Sequence, residues 1–157
     1  GLAVFGTIPA APAIMNQARD LGIKARFIGT GGLANENLMT LAPKASEGTV
    51  FTTYFHEDVD ADAKAWAQRY VKEFSGGSQP PRPVLAAWEY RAIKYIAAPC
   101  LEQVGTDKEK MRQCIGAWKG KMFSVPGEAY FDKTGQLIQP SVLVEVGNGA
   151  FQAFKGK

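Results

Sequence analysis

Residues 1–32 constrain the fold of this chain most strongly, because they read as a strand, a tight loop, a helix, a second strand and a glycine-rich loop in direct succession. The apolar run at residues 2–5 is typical of a strand buried on both faces of a parallel sheet. Pro9 suits the first turn of the helix that follows, and Gly22 can take the left-handed conformation that ends it. A second strand is expected at residues 25–28. This order predicts an α/β fold with a ligand cleft at the carboxyl ends of parallel strands.

The composition is that of an ordinary globular domain. Of the 157 residues, 46% are hydrophobic and 11% are aromatic, which is enough for a packed core. The formal net charge of +3 is small and the basic residues are scattered, so we do not expect nucleic-acid binding. No apolar run approaches the roughly 20 residues that span a bilayer. No leader-like segment precedes the first residue, so we expect either a cytosolic protein or a leader upstream of this chain.

The middle of the chain has the pattern of several helices. Asp60 can cap a helix whose aromatic side chains recur every four residues and share one face, namely Trp66, Tyr70 and Phe74. A longer helix is predicted at residues 84–104, with a kink at Pro99 because proline lacks the N–H that would bond four residues back. Thr106 and Glu109 match a capping box for the next helix. Packing rather than ligand binding is expected of the tryptophans, Trp66, Trp88 and Trp118.

The end of the chain has a hairpin signal. Residues 141–146 and 150–154 have strand composition, and Asn148 and Gly149 lie between them. An Asn-Gly pair between two apolar runs favours a tight two-residue turn. We therefore expect a C-terminal antiparallel hairpin on a mostly parallel fold.

Cys100 and Cys114 fall on facing stripes of two consecutive helices that we expect to pack antiparallel. A disulfide between them would suit an oxidising compartment, and two buried free thiols fit the sequence equally well. The single histidine, His56, is expected to be structural or exposed to solvent. No Cys-His pair is close in sequence, and no group of residues has the spacing of metal ligands. We therefore expect neither an enzyme nor a metal site, and no cofactor is implied.

Six short stretches carry a resemblance to a known family. The sequence resembles the type I periplasmic solute-binding proteins, and more narrowly the branched-chain amino-acid receptor group (leucine-binding protein-like) of ABC importers, in residues 5–7, 17–22, 27–29, 47–50 and 131–135 and in Tyr90. The resemblance covers essentially all of this chain but only the C-terminal half of a family member. It implies a periplasmic protein, exported with a signal peptide in its precursor, that binds a small-molecule solute and delivers it to ABC permease membrane subunits.

The resemblance also implies a domain organisation. Members of the family have two α/β lobes, each a parallel sheet between helical layers, that close over a solute about a hinge of three chain crossings. Residues 1–53 and 141–157 would belong to the C-terminal lobe and residues 55–140 to the N-terminal lobe. Two crossings would lie in this chain, at hinge residues Tyr54, Phe55, Pro140 and Ser141. Since each lobe would be incomplete, we expect the isolated chain to associate with a second copy or with the missing half.

By the same resemblance, five residues belong to the cleft wall of the C-terminal lobe, namely Thr7, Ile8, Gly29, Thr30 and Gly31. Their hydroxyl and backbone N–H groups could hold a carboxylate or a hydroxyl. Leucine-binding relatives commonly have an aromatic residue in place of Thr7, and a glutamate in place of Gly31 that pairs with the ligand ammonium. An aromatic acid, another organic acid or an amide is therefore at least as consistent with this chain as an aliphatic amino acid. The alternative is that Thr7 and Thr30 only cap their loops.

Two other functions are compatible with parts of the sequence. Residues 29–34 satisfy the G-x-G-x-x-A fingerprint of an NAD-binding Rossmann domain, but Pro43 ends the following helix early and no acidic residue closes the next strand. A receptor or regulator could use the same two-lobed sensor. The interpretation that absorbs most of the chain is a solute-binding protein that closes about a hinge without making or breaking a bond.

Overall fold

The structure of the chain is a computed structural model that describes residues 1–76 and 83–156. Within these residues the strands are β1 (Leu2–Val4), β2 (Phe27–Gly29), β3 (Val50–Thr53), β4 (Lys119–Lys121), β5 (Glu128–Phe131), β6 (Leu137–Ile138), β7 (Val142–Gly147) and β8 (Ala150–Ala153). The α-helices are α1 (Ala10–Asp20), α2 (Asn37–Leu41), α3 (Ala61–Phe74), α4 (Pro83–Arg91), α5 (Ala98–Val104) and α6 (Lys108–Ala117). A 3-10 turn covers Gly31–Leu33, and a π-helical segment, Ala92–Ala97, connects α4 to α5.

Five strands form one sheet in the order β1-β2-β3-β7-β8. The first three are parallel, with Ile28 of β2 paired to Ala3 of β1 and to Val50 of β3. The other two are antiparallel, and the pair Thr53 and Val142 is the last rung between β3 and β7. The carboxyl ends of β1, β2 and β3 therefore share one edge of the sheet. The predicted α/β fold with a parallel sheet is confirmed.

The predicted C-terminal hairpin is also confirmed. Strands β7 and β8 pair from Gly147 with Ala150 to Val144 with Ala153. The backbone φ angles of Asn148 and Gly149 are +54° and +71°. Two successive residues with positive φ form the turn whose twist matches an antiparallel hairpin, and asparagine and glycine are the residues that tolerate it best.

Helices α1 and α2 cover only one face of the five-stranded sheet. Both helices belong to parallel crossovers, and consecutive right-handed crossovers in one direction place their helices on the same side. The buried side chains on that side form one core, which includes Val4, Met15, Phe27, Leu33, Leu38, Phe51 and Val144. On the other face Ile28 and Leu143 are each 46% exposed. On β1 the side chain of Ala3, which pairs with Ile28 and faces the same side, is also exposed. The expectation that the first strand is buried on both faces is therefore wrong, because no described element covers the second face.

The segment between Tyr54 and β7 builds separate cores. The first consists of aromatic and small residues, namely Phe55, Ala63, Trp66, Ala67, Ala87 and Phe123. A second lies under the antiparallel three-stranded sheet β4-β5-β6 and contains Ile96, Met122, Val125 and Ala129. Neither shares a buried residue with the core of the five-stranded sheet. We call residues 1–53 and 142–156 the sheet region and residues 55–138 the helical region.

The helix predicted at residues 84–104 is interrupted by the π-helical segment rather than bent at Pro99 alone. A proline at position 99 cannot donate to the carbonyl of Tyr95. In the π-helical segment the N–H of Ala98 donates to the carbonyl of Ile93, five residues back. Pro99 then falls in the first turn of α5, where a helix does not need the N–H that proline lacks.

The start of α6 differs from the predicted capping box. The cap is Asp107, whose Oδ1 accepts a hydrogen bond from the N–H of Lys110 at 3.0 Å. Glu109 does not reach back, because its carboxylate accepts from Arg112 and Gln113 on the next turn. Thr106 thus lies one residue before the cap.

A disulfide joins Cys100 on α5 to Cys114 on α6, with the two Cα atoms 5.8 Å apart. The two helices therefore pack with the cysteines level. Within residues 1–76 and 83–156, no helix combines the length and the apolar character needed to cross a bilayer.

Candidate functional site

The loops that follow β1 and β2 touch each other at the carboxyl edge of the sheet. A Cβ atom on Gly32 would overlap the carbonyl oxygen of Gly6 and would lie 3.3 Å from Cγ2 of Thr7. Glycine at position 32 is therefore required for this close approach. The contact brings Thr7 beside the glycine-rich loop.

Two of the five predicted ligand residues have packing roles. A Cβ on Gly29 would collide with the side chain of Leu33 and would lie 3.0 Å from the carbonyl oxygen of Val4. Ile8 is partly buried and packs against the core of the sheet region. Gly29 and Ile8 therefore take part in the packing beneath the two loops.

The other three predicted ligand residues lie at the surface of the loops. Thr7 and Thr30 are exposed, and Gly31 is half-buried. Thr30 precedes the 3-10 turn, but its side chain makes no capping hydrogen bond. The hydroxyl of Thr30 is therefore not committed to the cap that would otherwise explain a threonine at this position.

The predicted hinge residues lie where the chain passes between the two regions. Tyr54 follows the last rung of β3, and Ser141 precedes the partner residue on β7, so the two passages leave the sheet side by side. Phe55 is buried in the aromatic core of the helical region, with its ring centroid 5.5 Å from that of Trp66. Pro140 is exposed, and its Cγ lies 3.2 Å from the position of a Cβ on Gly127.

Tyr54 connects the loops of the sheet region to α4 of the helical region. Its ring lies 3.8 Å from the position that a Cβ on Gly31 would occupy. Its ring centroid is 4.5 Å from that of Trp88, and the two planes are inclined at 77°. We call the surface formed by Thr7, Gly31, Tyr54 and Trp88 the crossing patch. The resemblance predicts Tyr54 at the hinge, whereas the sequence predicts only a packing role for Trp88. Helical spacing alone cannot tell which face of α4 meets the other region.

A hydrogen-bonded network holds the helical region to the passage after β3. The N–H of His56 donates to Oγ of Ser124, which donates back to the carbonyl of His56, both at 2.9 Å. The imidazole is buried, and its Nδ1 accepts from the N–H of Asp58 at 3.2 Å. His56 is thus structural, which is one of the two roles expected for it.

A cavity of about 350 Å³ lies between the two regions on another set of residues. The sheet region contributes Met39 and Phe151, and the helical region contributes Phe55, His56 and Val84. None of the crossing-patch residues lines this cavity. The arrangement therefore offers two separate surfaces between the regions.

One cation is deeply buried in the helical region. Arg91 is only 2% exposed, and burial lowers its pKa. Its guanidinium donates to the carbonyl oxygen of Phe123 at 3.3 Å and lies over the Phe123 ring. Among the ion pairs of residues 1–76 and 83–156, none includes Arg91. Among the described residues it contacts the Phe123 carbonyl and the Phe123 ring.

Comparison with known proteins identifies the family. The model of the periplasmic binding protein family matches residues 1–150. The chain belongs to this family. A curated relative, the leucine-, isoleucine-, valine-, threonine- and alanine-binding protein of Pseudomonas aeruginosa, is 29% identical over 133 residues, which are 84% of this chain and 34% of the relative. The chain thus spans about a third of the length of that curated relative.

Solved structures agree with the family assignment. A leucine-binding protein of Thermotoga maritima has a TM-score of 0.77 and 25% identity, covering 97% of this chain and 43% of that protein. The branched-chain amino acid transporter substrate-binding protein of Streptococcus pneumoniae, solved with isoleucine, has a TM-score of 0.76 and 21% identity, covering 96% of this chain and 42% of that protein. The type I periplasmic-binding-protein fold inferred from the resemblance is therefore confirmed.

Membership of this family excludes the enzyme alternative. Periplasmic binding proteins are solute-binding proteins and not enzymes, and they act outside the cytoplasm. The glycine fingerprint at residues 29–34 leads into a three-residue 3-10 turn and then the five-residue α2. A dinucleotide site instead places the pyrophosphate at the N-terminus of a helix that starts directly after the loop. In the described ranges, no three His, Cys, Asp or Glu side chains are grouped closely enough to hold a metal ion.

Proposed function

We propose that this chain is part of the extracytoplasmic solute-binding component of an ABC importer, and that it contributes to a site for a small amino acid, amide, or organic or aromatic acid between two lobes. The observation that carries the proposal is the crossing patch, which brings two sheet-edge loops and α4 together across the chain passages. In open parallel sheets, small molecules bind at the carboxyl ends of the strands, and this is the edge on which Thr7 and Gly31 lie.

The two regions would belong to different lobes. In this proposal residues 1–53 and 141–157 are part of the C-terminal lobe, residues 55–140 are part of the N-terminal lobe, and Tyr54, Phe55, Pro140 and Ser141 form two hinge crossings. The separate cores and the adjacent passages support this division. A solute that contacts both lobes stabilises the closed state by its extra contacts there, and permease subunits would recognise that state.

The chemistry of the loops favours a solute that has no ammonium group in need of a carboxylate partner. Thr7 and Thr30 offer hydroxyl groups, and Gly31 offers no carboxylate. A buried ammonium would need a carboxylate from elsewhere in the protein, whereas an acid or an amide can be held by neutral donors. Acids and amides are therefore the first solutes to examine.

The test uses the intact protein that contains this chain. The melting temperature of the protein is measured with each member of a panel of amino acids, amides, and aliphatic and aromatic acids. Small-angle X-ray scattering of the protein with and without the tightest-binding solute then tests for closure. We expect at least one solute to raise the melting temperature and to reduce the radius of gyration.

Two substitutions test the predicted hydroxyl donors. Thr7→Ala and Thr30→Ala should each weaken binding of that solute by about fivefold, which corresponds to the loss of one hydrogen bond of about 1 kcal/mol. Thr40→Ala, an exposed threonine on α2, is the matched control. The absence of any binder contradicts the proposal.

A further inference from the structure

We propose that Tyr54 and Trp88 form the wall of the solute site against which an aromatic ring packs, so that the solute is an aromatic compound. This inference rests on the proposed function and specifies its substrate class. It concerns two side chains that the sequence assigns to a hinge and to packing, respectively.

The position of Trp88 on its helix argues against a purely structural role. Helix α4 faces the core of the helical region with Ala87 and Arg91, which are four residues apart and buried. Trp88 lies about 100° around the helix from Ala87, and 43% of its surface is exposed. It is not a member of the aromatic core that contains Trp66 and Phe123. The tryptophan is therefore directed to the crossing and not to the interior.

The geometry of the pair leaves aromatic surface free. The two rings meet edge to face, and Tyr54 is 44% exposed. Two perpendicular rings form a corner in which a third ring can stack on one face and present its edge to the other, and both arrangements are favoured by aromatic quadrupoles. Leu85, three residues before Trp88 and exposed, extends the apolar surface along α4.

Gly31 keeps this corner open on the side of the sheet region. The nearest atoms to a Cβ at position 31 would be the carbonyl oxygen of Thr52 at 3.7 Å and Cε2 of Tyr54 at 3.8 Å. A longer side chain would extend over the tyrosine ring. Glycine at position 31 therefore keeps the exposed part of the Tyr54 ring free of a side chain from this loop.

The experiment measures binding of matched solute pairs to the intact protein by isothermal titration calorimetry. The pairs are benzoate with cyclohexanecarboxylate, and L-phenylalanine with 3-cyclohexyl-L-alanine. Each pair keeps the polar groups and the approximate size and differs in aromaticity. We expect the aromatic member of at least one pair to bind about tenfold more tightly, and Trp88→Leu and Tyr54→Leu each to remove that preference. The control is Tyr130→Leu, a similarly exposed aromatic residue on β5, which should retain it.

The outcomes separate this inference from the proposed function. Equal binding of both members of each pair, or an aromatic preference that survives Trp88→Leu and Tyr54→Leu, overturns the aromatic wall. Binding of aliphatic solutes alone also overturns it and leaves the proposed function standing, whereas no binding in the full panel removes both. Ala150→Trp, which fills the separate cavity of about 350 Å³, should leave binding unchanged. Loss of binding in that variant alone would place the solute in the cavity and overturn the inference.

Discussion

The side chain of Ser124 and the backbone of His56 exchange two hydrogen bonds, both 2.9 Å long. The N–H of Ser124 donates to Oδ2 of Asp60 at 2.6 Å, while Oδ1 of the same carboxylate caps α3. Three segments far apart in sequence are thus joined through one buried serine: the passage after β3, the start of α3 and the connection from β4 to β5.

Replacing Ser124 should destabilise the helical region. Ser124→Ala removes both bonds and leaves the buried N–H of His56 without a partner, while the His56 carbonyl keeps the N–H of Val59 at 3.3 Å. We therefore expect the free energy of unfolding to fall by about 1–3 kcal/mol. The φ angle of Ser124 is +58°, a value that glycine adopts without strain. Ser124→Gly should therefore cost less than Ser124→Ala. Urea denaturation of both variants checks this order, and equal stability of all three proteins would contradict the role given to the hydroxyl.

The two neighbouring glycines of the loop after β2 should respond differently to substitution. Gly32→Ala places a methyl group against the carbonyl of Gly6, and we expect a loss of about 1–3 kcal/mol from the resulting strain. Gly31→Ala meets only ordinary van der Waals contacts and should change stability by less than about 0.5 kcal/mol. Thermal unfolding of the pair is the measurement. A Gly32→Ala variant as stable as Gly31→Ala would show that the two loops do not touch.

The disulfide should account for much of the anchoring of α6, which has no fully buried residue. Its cysteines are 14 residues apart, and closing a loop of that size is worth about 3 kcal/mol in the chain-entropy model. We expect a reducing agent, or Cys100→Ser with Cys114→Ser, to lower the melting temperature. The double variant should no longer respond to the reducing agent. A parent protein whose melting temperature is unaffected by reduction would argue that α6 is held by other contacts.

The turn between β5 and β6 should lose stability in acid. Oδ1 of Asp132 accepts hydrogen bonds from the Thr134 hydroxyl and from the N–H groups of Gln136 and Thr134, which lower the Asp132 pKa. A lowered pKa means that the stabilisation is complete above the pKa of the unfolded chain and disappears as the pH falls through the folded value. Asp132→Asn should therefore be less stable than the parent at neutral pH, with the difference shrinking below about pH 4. A carboxyl pKa at or above the ordinary aspartate value in an NMR titration would contradict this.

The open face of the five-stranded sheet should promote association of the isolated chain. Ile28 on β2 and Leu143 on β7 lie on that face, and β1 forms one edge of the sheet, with no strand paired to its outer side among the described residues. Ile28→Lys and Leu143→Lys should reduce self-association in sedimentation equilibrium, because charge on an open sheet face opposes pairing of copies. The control is Leu21→Lys at an exposed residue after α1, which should leave self-association unchanged. A parent chain that is already a monodisperse monomer would refute the expectation.

Features set by a few neighbouring residues could be predicted from the sequence. Asn148 and Gly149 fix the hairpin because the turn itself needs two positive φ angles, and Asp60 caps α3 because the cap depends on the N–H groups immediately after it. The capping box predicted from Thr106 and Glu109 does not form, and the reason is again local. Asp107 competes for the same helix start, and Glu109 has a better partner in Arg112 one turn later.

Features set by distant segments could not be predicted in the same way. The exposure of Ile28 follows from where two crossover helices are placed, which no local pattern encodes. The contact between Tyr54 and Trp88 joins residues 34 positions apart in two regions, so Trp88 looked like any aromatic residue of an amphipathic helix. The resemblance to a family predicts five ligand residues at the sheet edge and places Tyr54 at the hinge, but it does not point to Trp88.

The passage after β3 is very short. Thr53 is held in the last rung of the sheet and Phe55 in the aromatic core of the other region, so a single residue separates two firmly packed neighbours. Any rotation of one region against the other must be absorbed largely by the φ and ψ angles of Tyr54 in this passage. The same rotation must swing the tyrosine ring relative to Gly31 or to Trp88. A hinge rotation at this passage would therefore also change the shape of the aromatic surface, because both depend on the backbone of Tyr54.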